Sequence, residues 1–197
     1  SQELNRRILE RWMREGVTVI DPRNTWVDVD VDLSQDVTLM PGVILQGATT
    51  IAPGAVIGPD TTLQDVEVGE NATVIRSHGS FAIIGDGANV GPFSYLRPGT
   101  QLGPGGKIGA FVETKNAVIG EGSKVPHLSY VGDAIIGEGA NIGAGTIFAN
   151  YDGVNKSATH VGNSAFIGSN SVLVAPVDIS DGAFVAAGSA VTDDVPA

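Results

Sequence analysis

The stretch from Val27 to Leu63, VDVDVDLSQDVTLMPGVILQGATTIAPGAVIGPDTTL, decides the fold because an aliphatic residue recurs at every sixth position. Neither an amphipathic helix nor an alternating strand repeats with this period. A hexapeptide repeat is the signature of a parallel β-helix, in which three short strands and their turns close one triangular coil. Two further runs, 84–108 and 161–191, keep the same period. The sequence therefore predicts an all-β fold, a left-handed parallel β-helix.

The composition agrees with a narrow solenoid and excludes several classes of protein. The 197 residues include 27 glycines and no cysteine, so disulfides and thiol catalysis are excluded. A net charge of −11 argues against binding to nucleic acid. No signal peptide is visible, and no apolar run approaches the roughly twenty residues that span a bilayer. These features predict a cytoplasmic protein.

The N-terminal segment that precedes the repeat has a different pattern. It contains five of the eleven basic residues, and it places apolar side chains at helical spacing, at Leu4, Ile8, Leu9, Trp12 and Met13. This pattern predicts an amphipathic helix that Gly16 and Pro22 end, and so short a helix needs a surface to pack against. We expect a linker helix within residues 1–25 and the repeat domain over residues 26–197.

Arg97 and Lys115 are two of only six basic residues after residue 25, and they are separated by three hexapeptides. They should stack on successive coils, about 4.8 Å apart along the axis. Like charges this close destabilise each other unless an anion lies between them. Either a carboxylate such as Glu113 shares a solvated pair, or the two cations bind a phosphate group.

Breaks in the period mark a second region of interest. The phase slips by one residue between Thr114 and Ile119 and again between Val131 and Ile136, and the segment Ala149–His160 is inserted. Insertions in a solenoid project from its corners as loops, often on the binding face. We expect such a loop here.

Counting through the insertion places four residues in one column over consecutive coils, namely His127, Ala144, Ser169 and Ala187. Small side chains stacked in this way predict a shallow groove for an extended, slender ligand. The alternative is a plain preference of the corners for Ala and Ser. A neutral imidazole at the head of the groove could serve as a general base.

The three histidines give no support to a metal site. His78 and His127 are separated by more than two coils, roughly 10 Å along the axis, which ligand bonds of about 2 Å cannot span. We interpret His78 and His160 as surface residues and expect no metal.

Several motifs resemble one enzyme family. They are Tyr95–Gly99 (YLRPG), Gly109–Lys115 (GAFVETK), His127–Ala134 (HLSYVGDA), Asn141–Thr146 (NIGAGT) and Asn150–Gly153 (NYDG) followed by Lys156. They are similar to the acetyltransferase half of the bacterial bifunctional glucosamine-1-phosphate N-acetyltransferase / N-acetylglucosamine-1-phosphate uridyltransferase, and the resemblance covers essentially the whole chain. It implies that the uridyltransferase domain is absent from these residues, so nucleotidyl transfer is not expected of them.

The resemblance also implies roles for individual residues. His127 would deprotonate the sugar amine, and Glu113 would orient it. The implied substrate-binding residues, which hold the phosphate and the sugar, are Arg97, Lys115, Tyr130, Asn141 and Lys156. The implied residues of the acetyl-CoA groove are Ala144, Asn150, Tyr151, Ser169 and Ala187.

The resulting hypothesis is acetyl transfer from acetyl-CoA, the co-substrate, to glucosamine-1-phosphate, on the route to UDP-N-acetylglucosamine and the cell wall. The family is a homotrimer with active sites between subunits. Transfer should be direct, since no nucleophilic side chain is evident. Two alternatives stay open: a hexapeptide acyltransferase with a different amine or hydroxyl acceptor, and a non-catalytic β-helix that binds or scaffolds.

Overall fold

The computed structural model describes all 197 residues of the chain. Helix α1 spans Gln2–Arg14. The strands of the first half are β1 Thr18–Val19, β2 Trp26–Val27, β3 Asp32–Leu33, β4 Thr38–Leu39, β5 Ile44–Gln46, β6 Thr50–Ile51, β7 Val56–Ile57, β8 Thr62–Gln64, β9 Glu67–Val68, β10 Thr73–Val74, β11 His78–Ser80, β12 Ile83–Ile84, β13 Asn89–Val90 and β14 Tyr95–Leu96.

The strands of the second half are β15 Gln101–Leu102, β16 Lys107–Ala110, β17 Glu113–Ile119, β18 Lys124–His127, β19 Tyr130–Ile136, β20 Asn141–Ile142, β21 Ile147–Ala149, β22 Thr159–Val161, β23 Phe166–Ile167, β24 Val172–Val174, β25 Val177–Ile179, β26 Phe184–Val185 and β27 Ala190–Val191. The α1 helix is too short to cross a membrane, and no other helix is present.

Every strand pairs in parallel with its equivalents in the adjacent coils, on one side only at the two ends, which gives a triangular prism. The first face is a ten-stranded sheet in the order β1-β4-β7-β10-β13-β16-β18-β20-β23-β26. The strands of the other two faces belong to one 17-stranded sheet, because β17 and β19 continue around the corner between these faces. The predicted left-handed parallel β-helix is confirmed, with about ten coils.

The aliphatic residues of the repeat form one continuous core along the prism axis. A single cluster of 45 buried hydrophobic residues fills it, and Leu39, Leu45 and Ile57 are fully buried. Burying one such side chain stabilises the fold by about 1.5–3 kcal/mol. Each coil therefore depends on its neighbours above and below, as stacked repeats do.

The helix covers the first end of the solenoid. Ile8, Leu9 and Trp12 are buried against the first coil, whereas the other two apolar residues of the predicted face stay exposed. The Asn5 amide donates to the carbonyl of Thr25 at 2.8 Å, and its oxygen accepts from the amide of Val27 at 3.0 Å. Asn5 thus satisfies backbone groups at the open edge, as a further strand would.

The boundary expected at residue 26 lies too late in the chain. The helix ends at Arg14, and Thr18–Val19 already pairs with Thr38–Leu39 as the first strand of the first face. The sequence distance between these two strands is longer than three hexapeptides. The six-residue period therefore does not predict the strand Thr18–Val19. The β-helix begins inside the segment that we assigned to the linker.

The predicted slips of the period appear as shortened coils. Glu113 pairs with Tyr130, one position short of three hexapeptides, and the seven-residue strands β17 and β19 run through the corner without a break. At that corner Asn116 and Asp133 have φ angles of 45° and 49°. Asn and Asp tolerate this left-handed backbone better than other side-chain-bearing residues do. The corner therefore carries polar side chains directly beside the predicted cations.

The predicted insertion is a projecting loop between β21 and β22. It is closed at its base by the antiparallel bridge Tyr151–Lys156 and by the amide of Ser157, which donates to the carbonyl of Asn150 at 3.0 Å. Asp152 accepts from the amides of Val154 and Asn155 at 2.7 and 2.6 Å and so folds the tip. The loop leaves the prism beside the corner of Asp133.

Candidate functional site

Arg97 and Lys115 stack on successive coils, as the period predicts, because Leu96 pairs with Thr114. Each cation also has a carboxylate partner. Arg97 donates to Glu113 at 2.9 Å, and Lys115 Nζ lies 3.7 Å from an oxygen of Asp133. Glu113 therefore pairs with Arg97 alone, and no single carboxylate is shared by the two cations.

Glu113 lies on the phosphate side of the candidate site. Its hydrogen bond raises the pKa of Arg97, and no hydrogen bond or ion pair joins Glu113 to His127. Glu113 faces Tyr95 and Tyr130 along its column, whereas His127 faces Ala110. The orienting role that the resemblance implies for Glu113 stays a prediction.

Lys156 adds a third cation to the same place. The closed base of the loop returns it to the prism, where the neighbouring ammonium of Lys115 lowers the pKa of Lys156 and Arg97 contributes in the same direction. Asp133 opposes this shift. Three cations thus gather around two carboxylates, Glu113 and Asp133, which leaves a surplus of positive charge.

Asp133 was missed by the sequence reasoning, although it stands in the quoted motif HLSYVGDA. Its carboxylate accepts from the Asn116 amide at 2.9 Å through Oδ1 and from the Asn150 amide at 2.5 Å through Oδ2. Burial raises the pKa of Asp133, but these hydrogen bonds and the charges of Lys115 and Lys156 together lower it. The carboxylate is therefore ionised at neutral pH.

Asn150, which the resemblance assigns to the acetyl-CoA groove, contacts the phosphate side with its side-chain amide. It is 8% exposed, and its amide reaches both Asp133 and the hydroxyl of Tyr130, the latter at 3.5 Å. Its neighbour Tyr151 is exposed, and its hydroxyl donates to the carbonyl of Gly153 within the loop. Asn150 thus links Asp133 and Tyr130 to the loop that carries Tyr151.

The column of small residues has the alignment that counting predicts. The carbonyls of His127, Ala144 and Ser169 accept from the amides of Gly145, Asn170 and Gly188 of the following coils, at 3.1, 2.7 and 2.8 Å. The register of β20, β23 and β26 places Ala187 next in line. The column runs about 14 Å, three coil spacings, along the first face.

His127 stands at the head of this column with a free imidazole. It is exposed, and its side chain makes no hydrogen bond within the chain. Only the turn at Leu128 and Ser129 separates it from Tyr130, which begins the next face. Asn141 lies on the same face as His127, where it pairs with Lys124 of the preceding coil. His127 therefore heads the column and lies one turn before Tyr130.

The other two histidines lie apart from this site. The ring of His78 packs edge-on against Tyr95, with centroids 5.5 Å apart, and His160 pairs with Asp178 at 2.7 Å. No group of three or more His, Asp or Glu side chains is arranged to hold a metal ion.

Comparison with known proteins gives one family model and many relatives. The model for the hexapeptide repeat of succinyl-transferase matches residues 159–193. Curated relatives named bifunctional protein GlmU include those of Kineococcus radiotolerans, 63% identical over 99% of this chain, and Rhodococcus opacus, 63% identical over 98%. The chain spans about 40% of the length of these relatives.

Solved structures match most of the chain at low sequence identity. A putative acetyltransferase from Desulfovibrio desulfuricans is 14% identical with a TM-score of 0.49, covering 92% of this chain and 54% of that one. An Arabidopsis UDP-N-acetylglucosamine acyltransferase is 15% identical with a TM-score of 0.44, covering 92% and 67%. The curated relatives, which match along the full chain, confirm the resemblance found in the sequence: over its whole length this chain is similar to about 40% of the length of the bifunctional GlmU proteins.

Proposed function

We propose that this chain transfers the acetyl group of acetyl-CoA to the amine of glucosamine-1-phosphate. The observation that carries the proposal is the cluster of Arg97, Lys115 and Lys156, whose three positive charges outnumber the two negative charges of its carboxylate partners. The unpaired imidazole of His127 lies one turn before Tyr130. A phosphate monoester would occupy this cluster as a charge-assisted hydrogen-bond acceptor. The homology to GlmU proteins supports the same reaction.

In this proposal the acetyl-CoA lies along the column that starts at His127. Ala144, Ser169 and Ala187 have short side chains, so a slender pantetheine arm can approach the backbone of successive coils. The reactive thioester would then be next to His127. The sugar amine would approach from the adjoining face, where Tyr130 and the cation cluster lie. Asn141 and Tyr151 would contact the sugar and the cofactor, as the resemblance implies.

The chemistry needs a base because only an unprotonated amine attacks a thioester. The amine nitrogen bonds to the carbonyl carbon as His127 accepts a proton from it. The C–S bond then breaks, and the sulfur leaves with a proton that His127 returns. The products are an N-acetyl sugar phosphate and free coenzyme A, with no covalent enzyme intermediate. A positioned base of this kind accelerates a reaction by about 10²–10⁴.

We further propose that the protein acts in the cytoplasm as a homotrimer with its sites between subunits. An exposed apolar ridge supports an interface next to His127: Phe93 and Phe111 stack with centroids 5.4 Å apart, and Leu128 continues their corner. Three chains of 20.2 kDa give a particle of about 60 kDa. Sedimentation that finds a stable monomer at micromolar concentration would contradict this assembly.

Release of free coenzyme A tests the reaction directly. The thiol should appear fastest with glucosamine-1-phosphate, more slowly with unphosphorylated glucosamine, and not at all with serine. Equal rates with both sugars would indicate an acyltransferase that ignores the phosphate. No release with any of these acceptors would favour a non-catalytic β-helix.

A further inference from the structure

The carboxylate of Asp133 connects the two halves of the candidate site. Its Oδ1 lies 3.7 Å from the ammonium of Lys115, on the phosphate side, and its Oδ2 accepts from the amide of Asn150, which the resemblance assigns to the cofactor side. Its side chain is only 14% exposed. Oδ1 also accepts from the Asn116 amide, which fixes the carboxylate in the corner. No other carboxylate in the chain contacts both halves.

The backbone around Asp133 is shaped to hold this arrangement. Asp133 has a φ of 49° and stacks above Asn116, with a φ of 45°, in the preceding coil. Gly132 is needed beside it, because a Cβ at that position would collide with the hydroxyl of Tyr130. The Tyr130 ring therefore lies against bare backbone, and its hydroxyl is turned toward Asn150.

Two contacts show why the negative charge matters. Lys115 and Lys156 repel each other, and Asp133 is the carboxylate that lies against Lys115. Without it, Lys115 would turn away from Lys156 and the distance between their ammonium groups would increase. The Asn150 amide would also lose its charged acceptor and be free to rotate, which would disturb Tyr130.

We propose that Asp133 is a positioning residue that holds Lys115 and Asn150 in register, so that one carboxylate aligns the sugar phosphate with the acetyl donor. This role rests on the proposed function, although Asp133 itself touches neither reacting atom. Replacing a side chain that contacts only the phosphate side would weaken the use of glucosamine-1-phosphate alone. Asp133 should affect both, since its two oxygens serve different halves of the site.

The test compares Asp133→Asn with wild type in steady-state kinetics for both substrates. Asparagine accepts the left-handed backbone and keeps the shape of the side chain, but it loses the charge. We expect kcat/KM to fall about ten- to hundredfold for glucosamine-1-phosphate and also for acetyl-CoA, the range for a lost charge-assisted contact. Asp133→Gly, which suits the left-handed backbone and removes the carboxyl entirely, should give a similar loss and guards against misfolding of the first variant.

Asp60→Asn is the matched control. Asp60 also has a left-handed backbone, with a φ of 48°, and it pairs with Arg76 at 2.7 Å in coils that precede the site. The kinetic constants of Asp60→Asn for both substrates should equal those of wild type. Lys115→Ala should impair only the use of glucosamine-1-phosphate, and adding Asp133→Asn to it should change that constant little further.

The outcomes separate the two proposals. A wild-type chain that does not acetylate glucosamine-1-phosphate overturns the proposed function and this role with it. Active wild type, together with folded Asp133 variants whose constants stay within about twofold of it, overturns the role alone. A loss confined to one substrate also overturns the role, because it removes the connection between the halves.

Discussion

The coils from Trp26 to Leu96 and those from Arg97 to His160 are built on the same core but differ in what they carry outside. The first region has strands of two or three residues and a single basic residue, Arg76. The second region has two seven-residue strands, the projecting loop and five basic residues. The first, regular region, with its uniformly short strands, supplies a scaffold, and the continuous strands and the loop of the second, irregular region bring charged side chains together at one corner.

The difference has a physical cause. A coil of three full hexapeptides returns every side chain to the same column, so an outward residue meets only its equivalents one coil away. In the irregular region β17 and β19 have no break at one corner, so each continues from one face to the next. Side chains from both faces, such as those of Tyr130 and Asp133, can then reach the same loop residue, Asn150.

The largest expected effect is on His127 in the irregular region. His127→Ala should lower turnover by about 10²–10⁴, because the amine would lose its proton acceptor. Binding of acetyl-CoA should change little, and the loss should shrink at high pH, where more amine is unprotonated. His160→Ala, which removes a histidine paired with Asp178 outside the site, should leave turnover unchanged. If the variant keeps more than about a third of wild-type turnover while chemistry is rate-limiting, His127 is not the general base.

The regular region should respond in the opposite way. Leu45→Ala creates a cavity in the fully buried core and should lower the free energy of unfolding by about 2–5 kcal/mol. The KM values of the protein that remains folded should be unchanged, because Leu45 lies coils away from the cluster. Val154→Ala, at a loop position that is 82% exposed, should shift stability by less than about 0.5 kcal/mol. Urea denaturation measures the free energy of unfolding, and kinetics at low denaturant measure KM. A changed KM in Leu45→Ala would show that the scaffold and the site are not separable.

The smallest effect concerns acid. The pKa of Asp133 is lowered in the folded chain, so its ionised form stabilises the fold above the ordinary aspartate pKa of about 3.9. That contribution is lost as pH falls through the lower, folded-state pKa. The difference in unfolding free energy between wild type and Asp133→Asn should therefore be larger at pH 6 than at pH 2. A difference that does not change between these pH values would mean that the charge of Asp133 does not stabilise the fold.

Much of this comparison could be predicted from the sequence. The sixfold period gives the fold because inward aliphatic residues must recur with the coil, and counting gives the column of His127, Ala144, Ser169 and Ala187. The position of the inserted loop also follows from the interrupted period.

Other features depend on contacts that a period cannot specify. The period shows that Arg97 and Lys115 stack, but the choice of Glu113 and Asp133 as their partners depends on side-chain conformation at a shortened corner. Asp133 escaped notice because a slip of one residue obscures which outward side chains converge. The start of the β-helix at Thr18 was missed because its first coil has an irregular length.

The central claim is that the irregular corner recognises phosphate through Lys115, and one ratio tests it most directly. The ratio is kcat/KM for glucosamine-1-phosphate divided by kcat/KM for glucosamine, measured for wild type and for Lys115→Ala, with Lys107→Ala as an exposed lysine control. We predict that Lys115→Ala lowers this ratio about ten- to hundredfold, the cost of one charge-assisted hydrogen bond, without slowing the acetylation of glucosamine. A ratio that equals that of wild type would contradict phosphate recognition by this cluster.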